Sequence, residues 1–221
     1  MHLSLPLEDF KTYVSQQLNN LFPDNLKVDK GCISLAFDLA IQRTEFCFKY
    51  VNIKSYSHDN KTYLNHLHSD QYAVFLWFLS NTVWEKTSDE RLASKLFYMN
   101  KVLNGLNCMY DTELPRIFLL LHVVGTVLGR AKYSDFFVAA QGCTVGAQNG
   151  VYPSIGKAVA MLPHSSIIGE CVIGDRVSVG INAKITKQDI ASDKIVYVDC
   201  NGNSVCRKAN RPWAETVFNI K

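Results

Sequence analysis

No apolar run in this sequence is long enough to cross a bilayer. The longest, from Ile117 to Leu128, is about a dozen residues and contains His122, Gly125 and Thr126, whereas a membrane helix needs roughly 20 apolar residues. A dense Lys/Arg run and an RNA-binding aromatic pattern are also missing, and the net charge is a mild +3. Neither nucleic acid nor a membrane is therefore an expected partner. The stretch MHLSLPLEDFK places Glu8 and Asp9 where a secretion signal would be apolar, so a cytoplasmic protein is expected. Seven cysteines, an odd number, include no C-x-x-C pair. That argues for reduced thiols rather than a disulfide framework or a zinc site. Of the six histidines, His2, His58, His66 and His68 fall in the first half and only His122 and His164 in the second. A three-histidine zinc site is therefore not expected there, nor is any other metal.

What is present is enough apolar residue, 48% of 221, to build a real core. The first half reads as helical. Asp29 caps a segment with apolar residues at three and four spacing, although its Thr44–Tyr50 end reads equally well as a strand. SDQYAVFLWFLSNTVWEK is apolar on most faces and so a buried helix. Thr87 and Glu90 form a capping box for a further helix with Leu92, Leu96, Met99 and Leu103 on one face and Gly105 as its C-cap.

After YDTELP the helical spacing disappears. Ile155, Met161, Ile167, Ile173, Val179 and Ile185 recur every six residues, with the small or short residues Val159, Ser165, Cys171, Val177 and Ala183 four positions after each anchor. Carried backward, the phase finds Val127, Tyr133, Ala139 and Val145, then a ten-residue step to Ile155 that implies a four-residue loop within AQNGVYPS. A fixed six-residue period is the signature of a solenoid whose rungs bury one another. Three hexads make one coil of a triangular prism, with the aliphatic residue inward and glycine relieving the corners. A β-sandwich would instead show period-two alternation and irregular turns. Past Ile190 the pattern frays, and Asn201-Gly202 between two alternating runs predicts a hairpin that covers the open end of the prism.

IGECVIGDRVSVGINAKI and QGCTVG resemble the hexapeptide-repeat acyltransferases, and the layout is similar to serine O-acetyltransferase in particular. SDQYAVFLWFLSNTVWE resembles that family's Asp-x-Tyr helix, and FYMNKVLNGLNCMYDTELP the segment leading into its repeats. The resemblance covers about residues 69–200. It implies an α+β chain: an N-terminal α-helical domain over 1–110, a left-handed parallel β-helix over 111–195, and a C-terminal hairpin and tail over 196–221.

The activity implied is acetyl transfer from acetyl-CoA to an acceptor hydroxyl or amine, with no metal. Such chemistry needs a base near the acceptor, and histidine is the usual one. His122, in LLLHVVGTVLG, matches the family's catalytic histidine, while His164 falls at a corner of the hexad lattice. The family orients its base with a carboxylate at the start of the β-helix, and Glu113 or Asp111 is expected in that role. For CoA the repeat phase points to Gly146, Ala147, Pro163 and Ile181, with Lys184 and Lys187 toward its phosphates. The family's Arg-His-Pro motif reads Val151, Tyr152, Pro153 here, so the arginine that would grip an amino-acid carboxylate is gone. VLGRAKYSDFFVAAQGCTVG reads like the family members linked with surface-polysaccharide synthesis, which implies a sugar hydroxyl as acceptor ahead of an amino acid. Homotrimers, singly or paired, with sites between subunits are also implied. Two other functions stay open: N-acetylation of an amino sugar, and an inactive trimeric scaffold.

Overall fold

The computed structural model describes residues 1–220. Four helices, α1 (Leu7–Leu21), α2 (Lys30–Phe48), α3 (Ser69–Thr87) and α4 (Glu90–Asn104), make up most of the first half. The carboxylate of Asp29 accepts a hydrogen bond from Cys32 N–H at 2.9 Å and starts α2, which runs unbroken through the Thr44 region. For α4 the cap is Asp89, which accepts from Leu92 N–H at 2.9 Å. Thr87 belongs to the last turn of α3, because its hydroxyl is already bonded to the Val83 carbonyl at 2.7 Å. Gly105 closes α4 at φ +70°. Between α2 and α3 lies a small sheet that helical spacing did not predict. Lys61–Leu64 is its centre, flanked by parallel His2–Leu3 and antiparallel Ser57–His58. Asp59 and Asn60, both at positive φ, form its two-residue turn.

Helix α3 is buried without a break from Asp70 to Val83, which explains its apolar residues on every face. It joins the two halves of the chain: the ring of Trp77 meets Phe118 edge-on at 5.3 Å, on the first strand of the solenoid. Cys47, at the end of α2, donates to the Phe118 carbonyl and accepts from its N–H. Buried side chains form one continuous cluster from Phe10 through the coils to Phe218.

The second half is a parallel β-solenoid with three sides. Side one stacks Phe118–Leu121, Phe137–Ala140, Ala160–Met161, Ser178–Val179 and Lys194–Val198; side two stacks Val127–Leu128, Thr144–Gly146, Ser166–Ile168 and Lys184–Thr186; side three stacks Lys132–Tyr133, Ser154–Ile155 and Val172–Ile173. Ile155 pairs with Ile173, Met161 with Val179 and Ile167 with Ile185, each eighteen residues on, so three hexads do make one coil. The coil carrying the AQNGVYPS loop takes twenty-two, as Val145 pairs with Ile167. All six hexad aliphatics are buried, as are the five small residues between them.

The corners are tight. A Cβ added to Gly174 would lie 2.5 Å from the backbone nitrogen of Ser192 on the next coil. Gly174→Ala is expected to cost about 1–3 kcal/mol through backbone displacement. For a chain of this size that is a fall in Tm of several degrees, readable by thermal denaturation.

The Asn201-Gly202 hairpin forms as expected, pairing Lys194–Val198 with Ser204–Lys208. Its first strand continues side one by parallel pairing with Ser178–Val179. The chain then runs back along the prism. Trp213 N–H bonds the Ser178 hydroxyl, Phe218 packs on Phe136 at 5.4 Å, and Asn52 N–H meets the Val217 carbonyl at 2.7 Å. The tail thus straps the far coils to the end of α2. Among the described residues all seven cysteines are free; burial pushes the Cys47 and Cys108 thiols up to about 12. Among the described residues no helix is long and apolar enough to cross a membrane.

Candidate active site

The first coil departs from the hexad phase, and His122 sits where it does so. Leu121 pairs with Ala140 and Val127 with Thr144. Five residues therefore span this corner in the first coil and three in the second: His122 and Val123 are a two-residue bulge. The buried hexad residue is consequently Leu128, paired with Val145, and the backward phase through Val127 is off by one. His122 takes the left-handed conformation, φ +51°, which is uncommon for a residue with a β-carbon. Bulges and such conformations persist when surrounding contacts hold them, and they serve to re-aim a side chain.

The contact that holds this one is Asp70. Its carboxylate, in the first turn of α3, accepts from the His122 N–H at 2.9 Å and from the Val123 N–H at 3.3 Å. Asp70 is 7% exposed, so both bonds are to a charge shielded from water and are stronger than surface bonds. The carboxylate reaches across 52 residues of sequence. Nothing local to SDQYAV announces that partner; an acid at a helix start reads as a dipole or capping feature.

Around His122 lies a recess of about 500 Å³, walled by Ile53, Ser55, Tyr56, Leu67, His68, Ser69, Asp70 and Leu121. Gln71 fixes its far wall, accepting from Asn65 N–H at 2.7 Å and donating to the Ser55 carbonyl at 2.8 Å. Six of the nine lining residues carry polar side chains, and none is Lys or Arg. His122 is an exposed residue and itself lines this space. A larger recess of about 720 Å³ shares the Ile53–Tyr56 wall, but no histidine or cysteine lines it and its Glu45 is paired with the Met1 amine.

The two carboxylates expected to orient the base lie elsewhere. Asp111 pairs with the Arg130 guanidinium, and with Glu113 it lines a separate recess of about 360 Å³ alongside Lys132, Tyr152 and Pro153. The chain turns away at this point, so neither acid shares the recess of His122. Its own corner holds other residues. Gly125, Gly142 and His164 occupy equivalent positions on the first three coils, all at positive φ. The His164 ring lies where a side chain at 142 would be, its Nδ1 overlapping a Cβ added there.

The residues anticipated for CoA border one side of the prism. Gly146 and Lys184 belong to strands of side two, Ala147 and Lys187 follow those strands, and Pro163 and Ile181 lie at the corner before Ser166–Ile168 and Lys184–Thr186, the same corner of the prism as His122. Ile181 is 58% exposed, and both lysines are exposed. Among the described residues no group of three His, Cys, Asp or Glu side chains is placed to hold a metal ion.

A helical half leading into a four-coil prism of six-residue repeats defines the left-handed hexapeptide β-helix class. Within it the fold is that of serine acetyltransferases. The Neisseria gonorrhoeae serine acetyltransferase structure superposes with a TM-score of 0.69 over 98% of this chain and 86% of its own, at 17% identity. The Brucella abortus strain S19 serine acetyltransferase gives 0.68 over 91% and 83%, at 16% identity. A serine acetyltransferase in complex with CoA gives 0.66 over 91% and 85%, at 15% identity. Neither a family model nor a curated protein sequence matches the chain.

Proposed function

We propose that this protein is an acetyl-CoA-dependent O-acetyltransferase in which His122 is the general base. The observation that carries the reading is the bulge: the chain departs from its repeat at one histidine, holds it with a buried carboxylate, and opens a polar recess beside it. The neutral imidazole takes the proton of the acceptor hydroxyl as its oxygen bonds to the thioester carbonyl carbon. The tetrahedral intermediate collapses with cleavage of the C–S bond, and the imidazolium returns the proton to the departing thiolate. The products are an acetyl ester and CoA.

The fold shared with a serine acetyltransferase in complex with CoA supports acetyl-CoA as donor. Gly146, Ala147, Pro163 and Ile181 would line the pantetheine arm, and Lys184 and Lys187 would meet the phosphates. A trimer with sites between neighbouring prisms fits the exposed Val172 and Ile181 at 57% and 58%. Free thiols fit a cytoplasmic setting.

A sugar hydroxyl is the acceptor we favour. One solved neighbour is a serine acetyltransferase in complex with serine and another is in complex with cysteine, but among the described residues that line the recess in this chain no Lys or Arg meets an amino-acid carboxylate. One observation favours the scaffold reading: Asp111, an expected partner of the base, is held by Arg130. Thiol release from acetyl-CoA, followed over a panel of glycosides, amino sugars and amino acids, decides between these readings. Acceptor-dependent release with an O-acetyl product supports O-acetyltransferase activity; an N-acetyl product supports the amine reading, and acceptor-independent background alone supports the scaffold.

A further inference from the structure

Two groups in the His122 recess have hydrogen-bonding capacity that the protein itself does not use. The Tyr56 hydroxyl and the His68 Nδ1 are both buried without a partner. Tyr56 is 2% exposed and His68 partly buried; their rings meet edge-on at 5.8 Å, and both line the recess that holds His122. Buried polar groups are otherwise paired, and an unpaired one calls for a specific explanation. A structural role explains neither atom. Packing needs only the rings, and Gln71 already ties this turn to α3.

We infer that Tyr56 and His68 are acceptor-recognition residues selecting an uncharged, polyhydroxylated molecule of the sugar class, which they hold beside the reacting hydroxyl at His122. The inference rests on the acetyltransferase reading above. Three features support it. The phenol both donates and accepts, and imidazole does so through its two nitrogens, a set that suits hydroxyl groups and gives a carboxylate no counter-charge. Both atoms are shielded from bulk water, so an acceptor hydroxyl, or one water held beneath it, gains a dry hydrogen bond. The one charged side chain in the recess, Asp70, already spends its carboxylate oxygens on the bulge and would repel an acceptor carboxylate. A site built around such unpaired groups discriminates strongly against molecules lacking the matching hydroxyl.

The test uses thiol release by the full chain, with methyl glycosides and L-serine as acceptors, on the wild type, Tyr56→Phe and His68→Gln. The wild type is expected to prefer a glycoside. Each variant should raise the glycoside KM at least about tenfold while the acetyl-CoA KM stays within about twofold. Tyr56→Phe keeps the ring and deletes an unpartnered hydroxyl, so its Tm should equal or exceed that of the wild type. Three results overturn the inference while leaving the acetyltransferase reading standing. These are serine preferred over every glycoside, an unchanged glycoside KM in both variants, or a fall in Tm of Tyr56→Phe with both KM values rising together. Failure of the wild type to bind acetyl-CoA, read separately by calorimetry, removes both readings.

Discussion

Replacing His122 with asparagine is expected to lower kcat for acetyl transfer by about two to four orders of magnitude, the range for loss of a positioned general base, with the fold intact. Asparagine is the informative choice. His122 is at φ +51°, a conformation that costs an L residue about 1–2 kcal/mol and that asparagine, unlike alanine, adopts readily. Asparagine also keeps the main-chain N–H that Asp70 holds, while its amide cannot take up a proton. The side chain is exposed, so little packing is lost and Tm should move by no more than a degree or two. Steady-state kinetics beside a thermal melt separates the outcomes: an inactive, fully stable variant supports the base. A destabilised variant with unaltered turnover would mean that the histidine only shapes the corner.

Asp70→Ala should affect both quantities. It leaves the His122 and Val123 N–H groups without their acceptor in a buried corner, and losing hydrogen bonds to a buried charge costs about 1.5–3 kcal/mol. The bulge then relaxes and His122 is no longer aimed, so kcat should fall about 10–100-fold, the scale on which an ångström-sized misplacement acts. Asp70→Asn offers one acceptor oxygen instead of two and is expected to fall between wild type and alanine in both readouts. Asp70 is thus a positioning residue. Denaturant unfolding and kcat measured on the same preparations check the ordering. Retained stability and turnover in Asp70→Ala would show that the bulge holds itself.

Much of this architecture is legible in the residues, and the limits of legibility have physical causes. The prism is readable because its period is forced: each inward aliphatic must stack on another eighteen residues away, so Ile155, Ile173 and their counterparts repeat. The Asn201-Gly202 turn is readable because few residues take its backbone angles. The candidate site is less so. His122 stands out as one of two histidines in the repeats, yet its bulge shows only as a phase slip, with Leu120 and Leu128 separated by eight residues where six are expected. The signal that carries it is Leu128, which takes the anchor position opposite Val145. Asp70 and Tyr56 come to the site from the helical half, and tertiary contacts across 52 residues leave no local trace. Thr87 misled because a Thr three residues before a Glu fits a capping box, whereas its hydroxyl is consumed by the Val83 carbonyl. Asp111 and Glu113 show why proximity in sequence to the first coil does not fix which recess a side chain lines: Asp111 pairs with Arg130, and both acids line a recess apart from that of His122.

The most direct measurement is a calorimetric titration of the wild type and His122→Asn with acetyl-CoA and with CoA. Use of acetyl-CoA by this fold, with His122 acting in chemistry rather than in donor binding, predicts saturable binding with one site per chain. It also predicts Kd values for the two proteins within about threefold, while only the wild type turns over. Absence of binding up to millimolar acetyl-CoA would contradict the acetyltransferase assignment and favour the scaffold reading.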